Sequence, residues 1–183
     1  MAFKHKKVTN SKTGQSYTFL QTAADTQGRL LEMESSFEPH SLQPPLHYHP
    51  HQFEDFSVLE GELTVNVNGS LRILKKGDQL HIPANTRHAM WNAGNVKTMV
   101  NWKVQPALNS EQLFETFAGL ANDNKTNPEG MPSFLQVLLT ANKFSNTFRM
   151  AKPPYFAQKL LFTLLTPICR LLGYRAIYKK YLD

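Results

Sequence analysis

A chain of 183 residues, 41% of them hydrophobic and 11% aromatic, has the length and composition of one globular domain with a core of its own. A single cysteine, Cys169, excludes an intramolecular disulfide, and no apolar segment follows the basic Met1–Lys12 stretch; together these give a cytoplasmic, reducing location as the expectation. The net charge of +6 is segregated: the first twenty residues hold Lys4, Lys6, Lys7 and Lys12 and no acidic residue, Gln21–Glu129 carries 8 basic and 13 acidic residues, and from Gly130 onward 8 basic residues face Asp183 alone.

In chain order, Tyr17–Gln21 and Leu30–Phe37 read as strands separated by the turn-rich segment 24–28. Residues 39–45 form a loop, since Pro39, Pro44 and Pro45 interrupt any periodicity. Leu46–His49 is the next strand, stopped by Pro50. Glu54–Leu59 follows and ends at the turn Glu60-Gly61. Glu62–Val67 alternates polar and apolar residues, the period of a half-buried strand. Asn68-Gly69 predicts a type I′ hairpin, with Leu71–Leu74 pairing back across it. Gln79–Ile82, His88–Trp91 and Thr98–Gln105 complete a run of short strands, the signature of an all-β sandwich or barrel.

After Pro106 the pattern becomes helical. Ser110-Glu111 opens an amphipathic segment through Leu120, and Asn122–Gly130 is a polar linker. Phe134–Phe144 is a second helix. Tyr155–Leu172 is a third, expected to break or kink at Pro167. Residues 1–106 are thus read as a barrel and 107–183 as a helical extension packed on the barrel or on a partner subunit.

The chemistry is concentrated in two short segments. His47 and His49, two apart, share one face of a strand. Glu54 follows past a turn that can return its carboxylate to the same point, and His88 is a fourth candidate. Three imidazoles and a carboxylate, with no thiolate, describe a metal site with open positions rather than a closed structural zinc site. His51, following Pro50, reads as solvent-exposed. Cys169 reads as a buried, inert thiol.

These segments resemble the two motifs of the cupin superfamily, metal-binding jelly-roll barrels. His47, His49, Glu54 and Gly61 fall on the first motif, with Ser41 where the family has a leading glycine. Gly77, Pro83, His88 and Asn92 fall on the second, with Asn85 at the internal glycine, a position where Asn tolerates positive φ. The resemblance implies a cupin-type jelly-roll β-barrel with C-terminal α-helices, and His47, His49, Glu54 and His88 as metal ligands. The whole chain is also similar to bacterial single-cupin proteins with a helical tail containing a Gly-Tyr-Arg segment, here Gly173–Arg175, a set with no established reaction.

A site of this kind suits Fe, Mn, Ni, Cu or Zn as a divalent ion better than Ca. It would serve dioxygen activation, Lewis-acid polarisation or simple ligand binding. Strand parity puts Phe56 and Val58 with Glu54, and Met90 and Asn92 with His88, as candidate pocket lining; His81 is a further candidate at the pocket mouth. The expected ligand is therefore a small, partly hydrophobic organic molecule. Two function classes stand: a metal-dependent oxygenase- or isomerase-like enzyme, and a non-catalytic ligand-binding protein whose helices mediate association.

In Tyr155–Leu172 the polar residues Lys159, Thr163, Thr166 and Arg170 leave a very wide apolar face. Packing against protein is the expectation for that face, with membrane-surface binding the lesser reading. A homodimer through the barrel edges is implied by the resemblance. No nucleic-acid partner is expected, since there is no dense Lys/Arg run.

Overall fold

A computed structural model describes residues 2–182. Ten strands come before Pro106: β1 (Lys7–Thr9), β2 (Ser16–Gln21), β3 (Leu31–Phe37), β4 (His47–Tyr48), β5 (Phe53–Glu60), β6 (Glu62–Val67), β7 (Ser70–Lys75), β8 (Gln79–Ile82), β9 (His88–Trp91) and β10 (Thr98–Gln105). Three helices follow, α1 (Ser110–Asn122), α2 (Phe134–Lys143) and α3 (Tyr155–Leu171), with a two-residue strand β11 (Arg149–Met150) between the last two. All strand pairings are antiparallel. One sheet runs β1-β2-β3-β10-β5-β8 and the other β11-β4-β9-β6-β7. The two share no ladder, so the jelly roll is an open barrel.

The alternation in the sequence decides which side chains fill it. Along β10 every second residue is buried (Thr98, Val100, Trp102, Val104), and along β5 the buried set is Glu54, Phe56 and Val58. Phe56, Val58, Val100, Trp102 and Val104 join Phe19, Met33, Leu63 and Val65 in an apolar core, and among the described residues no lysine or arginine is buried. The hairpin at Asn68-Gly69 has φ of 52° and 89°, the left-handed values a type I′ turn requires. Gly61 closes the β5–β6 turn at φ 72°, where an added Cβ would lie 2.6 Å from the carbonyl oxygen of Lys97. That position admits only glycine.

A second apolar cluster belongs to the helices: Leu113, Leu138, Leu139, Phe144, Phe148, Phe162 and Cys169. Cys169 is fully buried, its thiol facing the carbonyl of Leu135. Helix α1 joins the two cores. Phe114 stacks on Tyr17 and meets Trp102, at ring distances of 4.6 and 5.3 Å. Glu115 on the same helix holds a buried ion pair with Lys6 at 2.7 Å. Gln52 reaches from the barrel to the carbonyls of Pro106 and Ala107 and to the Ser110 hydroxyl.

Three expectations are corrected. Helix α3 is continuous through Pro167, so of the break or kink expected there the break does not occur; Phe162 before it and Cys169 after it are both anchored in the helical cluster. Strands β1 and β11 were not expected. The first lies in a lysine-rich segment, and the second is two residues long, too short for periodicity to reveal.

Replacing Phe144 by Ala should lower stability in urea denaturation by about 3–5 kcal/mol, the cost of a large buried cavity. Phe156→Ala, on the same extension but exposed, should change it by less than about 0.5 kcal/mol.

Candidate metal centre

His47 begins β4 and pairs in register with His88 at the start of β9. His49, two residues on, returns to the same face. Asn85 holds that return: it adopts φ 63° in the turn before β9, and its N–H donates to the His49 carbonyl at 2.8 Å. The left-handed backbone required at the second motif's internal glycine position is thus present on an asparagine. The three imidazoles lie with ring centroids 4.5, 5.2 and 5.3 Å apart.

Each ring is oriented by a backbone carbonyl. The Nδ1 atoms of His47, His49 and His88 face the carbonyls of Pro45, Thr147 and Thr86 at 3.2, 2.7 and 2.9 Å. A carbonyl can only accept, so each Nδ1 carries hydrogen, which leaves Nε2 as the atom that can ligate a metal once it is free of a proton. Candidate ligand atoms of the three rings lie within 4.8 Å of one another. From the opposing sheet, Glu54 places Oε1 3.3 Å from His49 Nε2 and Oε2 2.9 Å from His88 Nε2. Trp102 steadies it, donating its indole N–H to Oε1 at 3.1 Å. Yet His49 Nε2, His88 Nε2 and Glu54 Oε2 are buried without a hydrogen bond of good geometry. Buried imidazole nitrogens beside a carboxylate, short of hydrogen-bond partners, make a nitrogen and oxygen donor set that fits a divalent transition ion.

The electrostatics agree. Burial, with the neighbouring His88 and His49, pushes His47 down to about 3, so it is neutral at neutral pH. Burial alone would raise Glu54, but His49 and the contact with His88 outweigh it and hold the carboxyl at about 2. For His88 burial lowers and Glu54 raises; Glu54 wins and the ring titrates above its ordinary value.

The surrounding residues divide. Phe56, Val58 and Met90 are buried in the barrel core. His81 does not join them: β8 pairs Ile82 with Glu54 and His81 with Asp55, so Ile82 faces inward and His81 lies outside, bonded to Asp55 at 2.7 Å. Asn92 is not lining either. It sits past the end of β9, where strand parity no longer applies, and its amide ties the carbonyls of Phe37 and Val96 together. Its backbone N–H is accepted by the Ser41 hydroxyl, which links the outer positions of the two motifs. His51 is exposed, as expected.

Sequence reasoning missed Trp102, which shares β10's inward parity with Val100 and Val104 and could have been found that way. It also missed the helical extension's share in the site. Arg149 and Met150 pair with Tyr48 and His47, Thr147 supplies the carbonyl for His49, and the Phe148 ring lies 6.4 Å from His47. A cleft of about 370 Å³ lies elsewhere, between Lys125, Gln136 and Tyr178.

Residues 33–102, which include all four candidate ligands, match the family model for the cupin domain. This part of the chain is a cupin domain. A probable oxidoreductase, virH, of Hypocrea virens is 29% identical over 151 residues, covering 75% of this chain and 67% of that one, a match longer than the cupin domain itself. Quercetin 2,3-dioxygenase of Bacillus subtilis is 46% identical over 43 residues, 24% of this chain and 13% of that one. The chain therefore spans about two thirds of the first relative and a small part of the second. Among solved structures, a protein described as a predicted oxalate decarboxylase from Thermotoga maritima superposes with a TM-score of 0.50 at 19% identity, over 58% of this chain and 99% of that one. That likeness concerns the fold.

Two outcomes are expected. Trp102→Phe keeps the ring packing but removes the N–H from Glu54, and should weaken metal binding by about 10- to 100-fold in calorimetric titration. Glu54 shifts His88 toward its protonated form, so a metal and a proton compete for that ring. Affinity should therefore fall as pH drops, starting above the ordinary imidazole value of 6.5, with proton release visible as a buffer-dependent binding enthalpy.

Proposed function

We propose that this protein is a metal-dependent oxidoreductase acting on a small, partly hydrophobic organic molecule, with the ion held by His47, His49, His88 and Glu54. The observation that carries this reading is the convergence of three carbonyl-oriented imidazoles on buried, unsatisfied donor atoms beside Glu54. An ion bound there would offer open coordination positions to dioxygen or to a chelating substrate. The protein's own contribution is to orient the ligands, keep His47 neutral and keep water scarce around the site. Phe148 beside His47, with Phe56 and Met90 in the barrel core, suits a substrate with hydrophobic surface, and no buried lysine or arginine among the described residues invites a phosphate. The similarity to a probable oxidoreductase and to a dioxygenase favours oxidation over isomerisation. On this reading residues 1–106 carry the chemistry, and 107–183 complete the wall over it.

A ligand-holding protein without turnover is the alternative, and one observation favours it: residues 147–150 pair with β4 and bond the His49 ring, so the helical extension packs directly against the histidines. Metal content and oxygen uptake distinguish the two. The purified protein should contain one transition ion per chain, and His49→Ala and His88→Ala should each lose most of it. Oxygen consumption with catechol-like and keto-acid compounds supports the enzyme. A protein that holds its ion yet turns over none of them supports the binding reading, and full metal retention in both variants overturns the ligand assignment.

A further inference from the structure

Helix α3 buries Gln158, Phe162 and Cys169 among the other helices. At about 100° per residue these occupy one side of the helix. The opposite side stays uncovered. Phe156, Leu160, Leu164 and Ile168 follow one another at intervals of four and are 78, 61, 59 and 47% exposed; Leu171 extends the ridge at 88%. A contiguous run of large apolar side chains on a surface marks a docking face.

What surrounds the ridge narrows the partner. Lys159, Thr163 and Arg170 are exposed along one border of it. Between Gly130 and Leu182 there is no acidic residue, and Lys152, Arg175 and Lys179 add exposed positive charge nearby in the chain. A second copy seated face to face would bring another cationic helix against this one. No described helix is long and apolar enough to cross a membrane. A helix with an apolar face and a basic border has the form of one that lies in the headgroup region, its leucines in the acyl boundary and its long cations reaching phosphates.

We propose that the exposed face of α3 docks this protein onto an anionic lipid bilayer, with Phe156, Leu160, Leu164 and Ile168 inserted and Lys159 and Arg170 at the headgroups. The candidate metal centre would then work beside a membrane, near where hydrophobic small molecules accumulate.

The test is cosedimentation of the full chain with vesicles of phosphatidylcholine plus phosphatidylserine, compared with phosphatidylcholine alone. Binding should need the anionic lipid and weaken with salt. Leu160→Ser with Leu164→Ser should abolish it, and Lys159→Glu with Arg170→Glu should weaken it by about tenfold or more. All four positions are exposed, and circular dichroism should show both variants folded. The proposal is overturned by failure of the unmodified protein to bind. It is equally overturned if both variants bind undiminished, which would place the contact elsewhere, or if sedimentation velocity shows a dimer that Leu160→Ser with Leu164→Ser dissociates.

Discussion

Burying an ionised carboxylate is costly, and the price of Glu54 sets the terms for the rest of the site. Left unpaired in the barrel, its charge would cost several kcal/mol. Here it faces two imidazoles from the opposing sheet and accepts the Trp102 indole hydrogen. The two sheets share no backbone ladder, so this polar contact is one of those that link them across the interior. Its protonation balance is that of a site suited to a cation: Glu54 kept ionised, His47 kept neutral, and His88 shifted by Glu54 toward its protonated form, so that a metal and a proton compete for it.

Much of this was legible in the residues, and what was legible followed simple rules. Side-chain alternation put His47 and His49 on one face and grouped Glu54, Phe56 and Val58 on another. Turn chemistry placed Asn68-Gly69, and the tolerance of Asn for positive φ anticipated Asn85. The failures are equally physical. Alternation holds only inside a strand, so it misplaced Asn92, one residue past β9. His81 needed the register between β5 and β8, which depends on long-range pairing. A proline forecast a break or kink in α3, and the break does not occur, because anchoring on both sides of Pro167 outweighed one missing backbone hydrogen bond.

The helical extension's part in the site was the least legible feature. It acts through backbone: the Thr147 carbonyl on His49 and the two-residue pairing of Arg149 and Met150 with β4. Any residue could supply those groups, so no residue type announces them. They are brought near by the helical cluster that buries Phe144 and Phe148, which means that the packing of the extension and the orientation of His49 are coupled. The extension thus has two faces, one closing over the histidines through Thr147 and Phe148 and one presenting Phe156, Leu160 and Leu164 to the surroundings.

X-ray absorption spectroscopy of the metal-loaded protein tests the central claim most directly, because it reads the ligand shell itself. The account predicts a shell of nitrogen and oxygen donors alone, at about 2.0–2.2 Å for a zinc-sized ion, with the outer-shell scattering of three imidazoles. A sulfur ligand, or the scattering of fewer than two imidazoles, would contradict it.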